Sequence, residues 1–153
     1  MSEQVRIVEL EPMRVACLSG FGATPEEEAW KALEAWAQPK GLLDDPKAHR
    51  IFGFNNPDPS PGSPNYGYDL WITVGPDVEA EGEAKIIEFP GGLYAVTQCK
   101  GIDNIGKVWK RLLTWCEDSK YQRAHHQWME EHISPMDAPL QEFVLDLYAP
   151  IVK

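Results

Sequence analysis

The chain has 153 residues, of which 43% are apolar and 25% charged, with a formal net charge of −10; this is the make-up of one folded domain rather than of a disordered or collagen-like chain. No apolar run approaches the ~18 residues of a transmembrane helix, and the start Met1–Arg6 has no signal-peptide core, so a cytoplasmic protein without a membrane role is expected. An excess of acidic over basic residues, 24 against 14, repels a phosphate backbone and argues against direct DNA binding.

Val5–Leu10 reads as an extended segment, interrupted at Glu11-Pro12, and Arg14–Ser19 as a second. Thr24-Pro25-Glu26-Glu27 then carries a capping threonine, proline at the first helical position and glutamate at the third, the pattern of a capping box. Ala29, Leu33, Trp36 and Ala37 follow at helical spacing, and Pro39 and Gly41 stop the helix. Strands are expected over Arg50–Phe54 and Gly67–Val74, separated by the proline-rich loop Pro57–Pro64. Gly75–Glu83 is an acidic connector.

The second half repeats the first. Shifted by 79 positions, Val5–Ala37 lies on Ala84–Cys116 without a gap, and eight of the 33 pairs are identical, including Trp30/Trp109 and Trp36/Trp115. A turn at Pro90-Gly91-Gly92 leads into Leu93–Gln98. A helix capped by Asp103 then carries Ile105, Trp109, Leu112 and Cys116, and strands follow over Gln127–His132 and Phe143–Tyr148. Trp-Met-Glu-Glu-His within the former could equally be helical. We read an internal duplication of two modules, about 5–74 and 84–151, joined by residues 75–83. Trp30 and Trp109 are expected to lie largely buried against the sheet.

Local chemistry offers few signals of catalysis. His125, His126 and His132 lack the spacing of HExxH or its inversion, so no metal is expected. Cys17, Cys99 and Cys116 sit on apolar patterns and read as buried small residues. Gly20–Gly22 lacks the lysine of a phosphate loop, and no cofactor is expected. Strand alternation gives Asp69 the same face as Trp71, and Asp146 the same face as Tyr148. Either both acids are solvent-side alternations on half-buried strands, or they belong to a cleft with aromatic walls. Such a cleft suits a lipophilic, planar or cationic ligand, because rings attract cations and the acid supplies countercharge. Trp109, Phe54 and Tyr68 are candidate walls, with Tyr68 on the opposite strand face unless the strand bulges.

The stretches 5–16 (Val-Arg-Ile-Val-Glu-Leu-Glu-Pro-Met-Arg-Val-Ala), 28–33 (Glu-Ala-Trp-Lys-Ala-Leu), 89–96 (Phe-Pro-Gly-Gly-Leu-Tyr-Ala-Val), 105–109 (Ile-Gly-Lys-Val-Trp) and 145–151 (Leu-Asp-Leu-Tyr-Ala-Pro-Ile) together resemble the GyrI-like small-molecule-binding domain. That family includes the effector-binding domains of multidrug-responsive transcription activators and a gyrase inhibitor. The resemblance implies an α+β fold of two βαββ modules related by a pseudo-twofold axis, with helices packed on a curved antiparallel sheet around a ligand cleft. Relatives often carry Phe-Glu-x-Tyr before the last strand, and in drug-binding relatives that glutamate meets the ligand's positive charge. Here it falls on Met129, with Glu130 beside it, and Glu130 inherits the role if a bulge corrects the register. The usual final-strand acid is Asp146. With no helix-turn-helix segment, the chain reads as a stand-alone binder of small lipophilic, cationic or planar molecules, acting in sensing or sequestration. Two alternatives stay open. One is a hydrolase of reactive cyclopropane-bearing compounds using Tyr148 with Asp146 or Glu130; the other is a protein-binding module of the gyrase-inhibitor type. The sequence leaves the oligomeric state undetermined.

Overall fold

A computed structural model describes residues 5–45, 48–56, 65–134 and 142–153. In chain order the elements are β1 (Arg6–Leu10), β2 (Met13–Gly22), α1 (Pro25–Ala37), β3 (Ile51–Asn55), β4 (Tyr66–Thr73), β5 (Lys85–Phe89), β6 (Gly92–Lys100), α2 (Ile105–Asp118), β7 (Gln122–Arg123), β8 (Met129–His132) and β9 (Val144–Val152). The fold is α+β and every strand pairing described below is antiparallel, as expected. The Met129–His132 segment is a strand, which settles the helix alternative. The short β7 has no counterpart among the expected strands, and the loop expected over Pro57–Pro64 lies outside the described residues.

Two compact units form. Met13–Phe89 builds a sheet in the order β3-β4-β2-β5. Residues 5–12 join Pro90–Lys153 to build the other, in the order β1-β6-β9-β8, with β7 pairing further along β9. The units therefore break at Pro12 and Pro90 rather than in the 75–83 connector. The pairing within the units joins β1 to β6, and β5 to β2.

The switch at Pro90 depends on Gly91, whose φ of +83° favours glycine. A Cβ there would sit 2.1 Å from the Leu10 carbonyl oxygen, so the turn also lets the end of β1 come close. In the other unit the close approach is at Gly20 on β2, where a Cβ would lie 2.2 Å from the Pro25 carbonyl oxygen and 2.7 Å from the Ala29 nitrogen. This position seats the start of α1 directly on the strand.

Both helices begin differently from the expected caps. Thr24 is the N-cap of α1 but makes no side-chain cap bond; Pro25 at the first position and acids at 26, 27 and 28 start the helix, using preset φ and the helix dipole. Residues 102–104 form a short 3-10 turn, so Asn104 rather than Asp103 is the N-cap of α2. The Asn104 side chain donates back to the Lys100 carbonyl at 2.8 Å.

Each unit packs one helix on one face of its sheet. Ala29, Leu33, Trp36 and Ala37 of α1 meet Ala16, Leu18, Tyr68, Leu70 and Ile72. Val108, Leu112 and Cys116 of α2 meet Ala95, Cys99, Leu145, Leu147, Ala149 and Ile151. Trp30 and Trp109 are only half-buried at the margins of these cores. The buried stripe of α2 runs through Val108 instead of Trp109, because the helix is rotated so that the smaller side chain points at the sheet.

Candidate functional site

Directly opposed residues of an antiparallel pair share a face, so the register assigns every strand residue a side. In the Met13–Phe89 unit, Tyr68, Leu70 and Ile72 point to α1, and Asp69 and Trp71 point away from it. Trp71 stands opposite Cys17 and Phe52, and Asp69 opposite Ser19 and Phe54. Phe54 meets Trp71 edge-on with centroids 4.9 Å apart, and Phe89 tilts against it at 5.3 Å. The Trp71 ring is 6% exposed, and its indole N–H has no acceptor in hydrogen-bonding geometry. Asp69 is buried and accepts from Asn56 Nδ2 at 3.0 Å. Burial, reinforced by the Asp69 charge, pushes the Cys17 thiol up to about 11. Cys17 is therefore held as the neutral thiol.

In the other unit the side of the sheet away from α2 carries Tyr94 and Val96 of β6, Asp146 and Tyr148 of β9, Met129 and Glu131 of β8, and Arg6 of β1. Met129 stands opposite Tyr148, and Glu131 opposite Asp146. The Tyr148 hydroxyl donates to Glu131 Oε1 at 2.7 Å. Tyr148, Met129, Glu131 and Asp146 are all buried. Tyr94 is fully buried; its hydroxyl donates to the Gln127 carbonyl at 2.5 Å, and burial raises it well above an ordinary phenol. Its ring meets Tyr148 edge-on at 5.3 Å and His126 at 4.8 Å. Arg6 Nη2 donates to Asp146 Oδ2 at 2.9 Å, and Asp146 Oδ1 is buried with no hydrogen-bond donor.

Several expected residues fall elsewhere. Tyr68 packs in the core under α1, on the opposite strand face, since β4 has no bulge across its pairing with β2. Trp109 lies on the helix side and meets Trp128 at 5.8 Å. Glu130 stands opposite Leu147, whose side chain points into the core under α2. No bulge shifts β8, so the strand's buried acid on the Tyr148 face is Glu131, the next residue along. Its signal was present in the sequence: once Met129 faces Tyr148, alternation alone gives Glu131 to Asp146. Arg6 was missed because its pairing partner Val96 lies in the other sequence half.

His126 and His132 have separate neighbours: His126 Nε2 bonds the Leu93 carbonyl at 2.8 Å, and His132 meets the Phe143 ring edge-on. Burial pushes the His132 imidazole down to about 4, with Glu131 opposing the shift. Among the described residues no group of three or more His, Cys, Asp or Glu is arranged to hold a metal ion, and no helix is long and apolar enough to cross a membrane.

A buried carboxylate held by a phenol and bordered by rings has two chemical uses. It supplies countercharge to a lipophilic cation, or it forms an acid–base pair. The profile of the GyrI-like small molecule binding domain matches residues 3–152. This chain belongs to that family. No curated protein sequence matches the chain, but solved structures share the fold of this GyrI-like domain. The EcmrR C-terminal domain is 17% identical with a TM-score of 0.72, covering 100% of this chain and 99% of its own. A hydrolase from Listeria innocua is 12% identical with a TM-score of 0.74, covering 97% and 92%. SAV2435, solved bound to tetraphenylphosphonium, is 12% identical with a TM-score of 0.55, covering 99% and 94%. EcmrR also matches in its DNA complex, at 16% identity and a TM-score of 0.74, where the GyrI-like domain covers 99% of itself but spans only 58% of the EcmrR chain.

Proposed function

We propose that this GyrI-like domain binds a small lipophilic, cationic or planar molecule through the helix-free sheet faces, in a sensing or sequestering role. The observation that carries the reading is the buried Glu131 carboxylate, held at 2.7 Å by Tyr148 among Tyr94, Met129 and Asp146. A lipophilic cation would meet that carboxylate as countercharge while its rings pack on tyrosine. In the Met13–Phe89 unit, Trp71, Phe54 and Asp69 present the same combination and are proposed as ligand contacts in their own right. The tetraphenylphosphonium complex of SAV2435 supports the ligand class. The test is calorimetric titration with tetraphenylphosphonium beside its neutral relative triphenylphosphine oxide. Saturable binding of the cation, weaker binding of the neutral compound and quenching of tryptophan fluorescence are expected. Absence of saturable binding for both compounds refutes the reading.

The same pair favours a second reading, hydrolysis of a reactive cyclopropane-bearing compound. Tyr148 would donate its proton to the leaving group as the ring opens, while a carboxylate draws a proton from the attacking water. The Listeria innocua neighbour described as a hydrolase supports it. Turnover that is lost in Tyr148→Phe, with ligand affinity retained, would establish this reading over simple binding.

A further inference from the structure

In the unit that joins β1 to Pro90–Lys153, one buried oxygen on the helix-free face is left over by the contacts already described. Asp146 stands on β9 between Gln98 of β6 and Glu131 of β8, with its side chain 10% exposed. Arg6 Nη2 donates to Oδ2 at 2.9 Å, whereas Oδ1 is buried and accepts nothing. An acceptor closed off from water and given no donor raises the free energy of the fold, and buried polar atoms in native proteins nearly always have a partner.

The donors beside it are engaged elsewhere. A hydroxyl has one proton to give; that of Tyr148 goes to Glu131 Oε1, and that of Tyr94 to the Gln127 carbonyl. His126, which meets the Tyr94 ring at 4.8 Å, turns Nε2 to the Leu93 carbonyl. Gln98 directly opposes Asp146 but is exposed, so its amide is met by water. Tyr94, Tyr148 and Met129 lie on the same face and give the leftover acceptor an aromatic and apolar border. The terminal torsion of aspartate is soft, so a small rotation turns Oδ1 toward the open part of the side chain while Arg6 keeps hold of Oδ2. We infer that Asp146 Oδ1 accepts a hydrogen bond from the ligand itself, so that this face prefers lipophilic protonated amines, which carry an N–H, over quaternary cations of the same skeleton, which carry none. The inference rests on the ligand-binding reading above and adds a hydrogen-bonding requirement to it; it concerns one donor and one acceptor and does not depend on the net charge of the face.

The experiment titrates a tricyclic amine series, desipramine, imipramine and the N-methyl quaternary salt of imipramine, into wild type, Asp146→Asn and Glu130→Gln by calorimetry at neutral pH. All three compounds are singly charged cations and each step adds one methyl group, so charge attraction is common to the series. The two amines donate an N–H and the quaternary salt does not. Wild type should bind the two amines within about threefold of each other and the quaternary salt roughly ten- to a hundredfold more weakly, the effect of one hydrogen bond to a charged group. In Asp146→Asn the amide oxygen takes over the bond from Arg6 and the amide NH2 stands where Oδ1 stood. All three compounds should then bind more weakly, and the step from imipramine to its quaternary salt should shrink to about twofold or less. Glu130→Gln, on the α2 side of the sheet, should keep the wild-type ratios. An even decline across the series in wild type marks a limit of space and overturns the inference, as does a quaternary salt that binds as tightly as imipramine; cation binding itself stands in both cases. A step that survives unchanged in Asp146→Asn assigns the acceptor elsewhere and also overturns it. The wild-type series decides the matter even if Asp146→Asn folds poorly. Failure of all three compounds to bind wild type overturns the binding reading and this inference with it.

Discussion

Replacing Glu131 by glutamine tests the site most directly. The change is nearly isosteric and leaves an amide oxygen to accept from the Tyr148 hydroxyl, so the 2.7 Å contact keeps an acceptor. What disappears is one buried negative charge. The phenyl shell of tetraphenylphosphonium holds its phosphorus about 6 Å from any carboxylate, and at an effective dielectric constant near 20 the attraction is about 3 kcal/mol. Part of that is offset by the carboxylate's own desolvation, leaving a loss of about 1.5–3 kcal/mol, or roughly 10- to 150-fold in Kd. Triphenylphosphine oxide, without the charge, should change by less than about threefold. Glu130→Gln is the internal control: its side chain is on the α2 side of the sheet, and both compounds should bind as to wild type. Isothermal titration at pH 7.5 and low salt reads both effects. If Glu131→Gln binds the cation as tightly as wild type, or Glu130→Gln suffers the larger loss, the assignment of the carboxylate is wrong.

Three further outcomes follow from the packing and the buried imidazole. Gly20→Ala should destabilise the fold by about 2–4 kcal/mol in urea unfolding, since backbone atoms of α1 occupy the space of the new methyl; a loss below about 0.5 kcal/mol would show that α1 lifts away freely. Leu112→Ala, fully inside the α2 core at 1% exposure, should cost about 3–4 kcal/mol, and half-buried Trp109→Ala distinctly less, so equal losses would contradict the helix rotation seen here. His132, lowered to about 4 in the folded state from an ordinary 6.5, binds fewer protons folded than unfolded. Its contribution, of the order of 2–3 kcal/mol, is therefore complete above pH 6.5 and is lost as pH falls toward 4. His132→Gln should flatten the stability profile across that window, and an unchanged slope between pH 6.5 and 4 would refute the burial cause.

Much of the fold was legible because it is written in local periods. Alternation at 67–74 and 143–148 gave two central strands, and the spacing of Ala29, Leu33 and Trp36 gave a helix. Thr24 caps α1 by position but without its side-chain bond, and the second cap was misplaced by one residue, from Asn104 to Asp103, because a 3-10 turn precedes α2. The site was legible only in part. Asp69 with Trp71 and Asp146 with Tyr148 share faces as expected, a consequence of period two within one strand. Glu131 was missed because a one-residue choice of register on a four-residue strand inverts its faces, and family alignment reached only as far as its neighbour. Arg6 was out of reach for a different reason: which strand β1 pairs with is decided by tertiary contacts between segments far apart in the chain, and no periodicity encodes that.

The pairing of β1 with β6 also has a consequence for how the chain comes to be folded. Arg6 meets Val96 and Leu10 meets Gly92, partners roughly 80–90 residues apart, so closing this pair carries a large loop-entropy cost. During synthesis the Met13–Phe89 unit emerges whole, β5 included, before β6 exists, whereas β1 precedes that unit and has no partner until β6 is made. The first unit can therefore complete its pairings while later residues are still being made, and the second is limited by the arrival of its C-terminal half. In the interval β1 is a short strand with charge at Arg6 and Glu9 on its exposed positions, the kind of segment that resists pairing with the wrong chain.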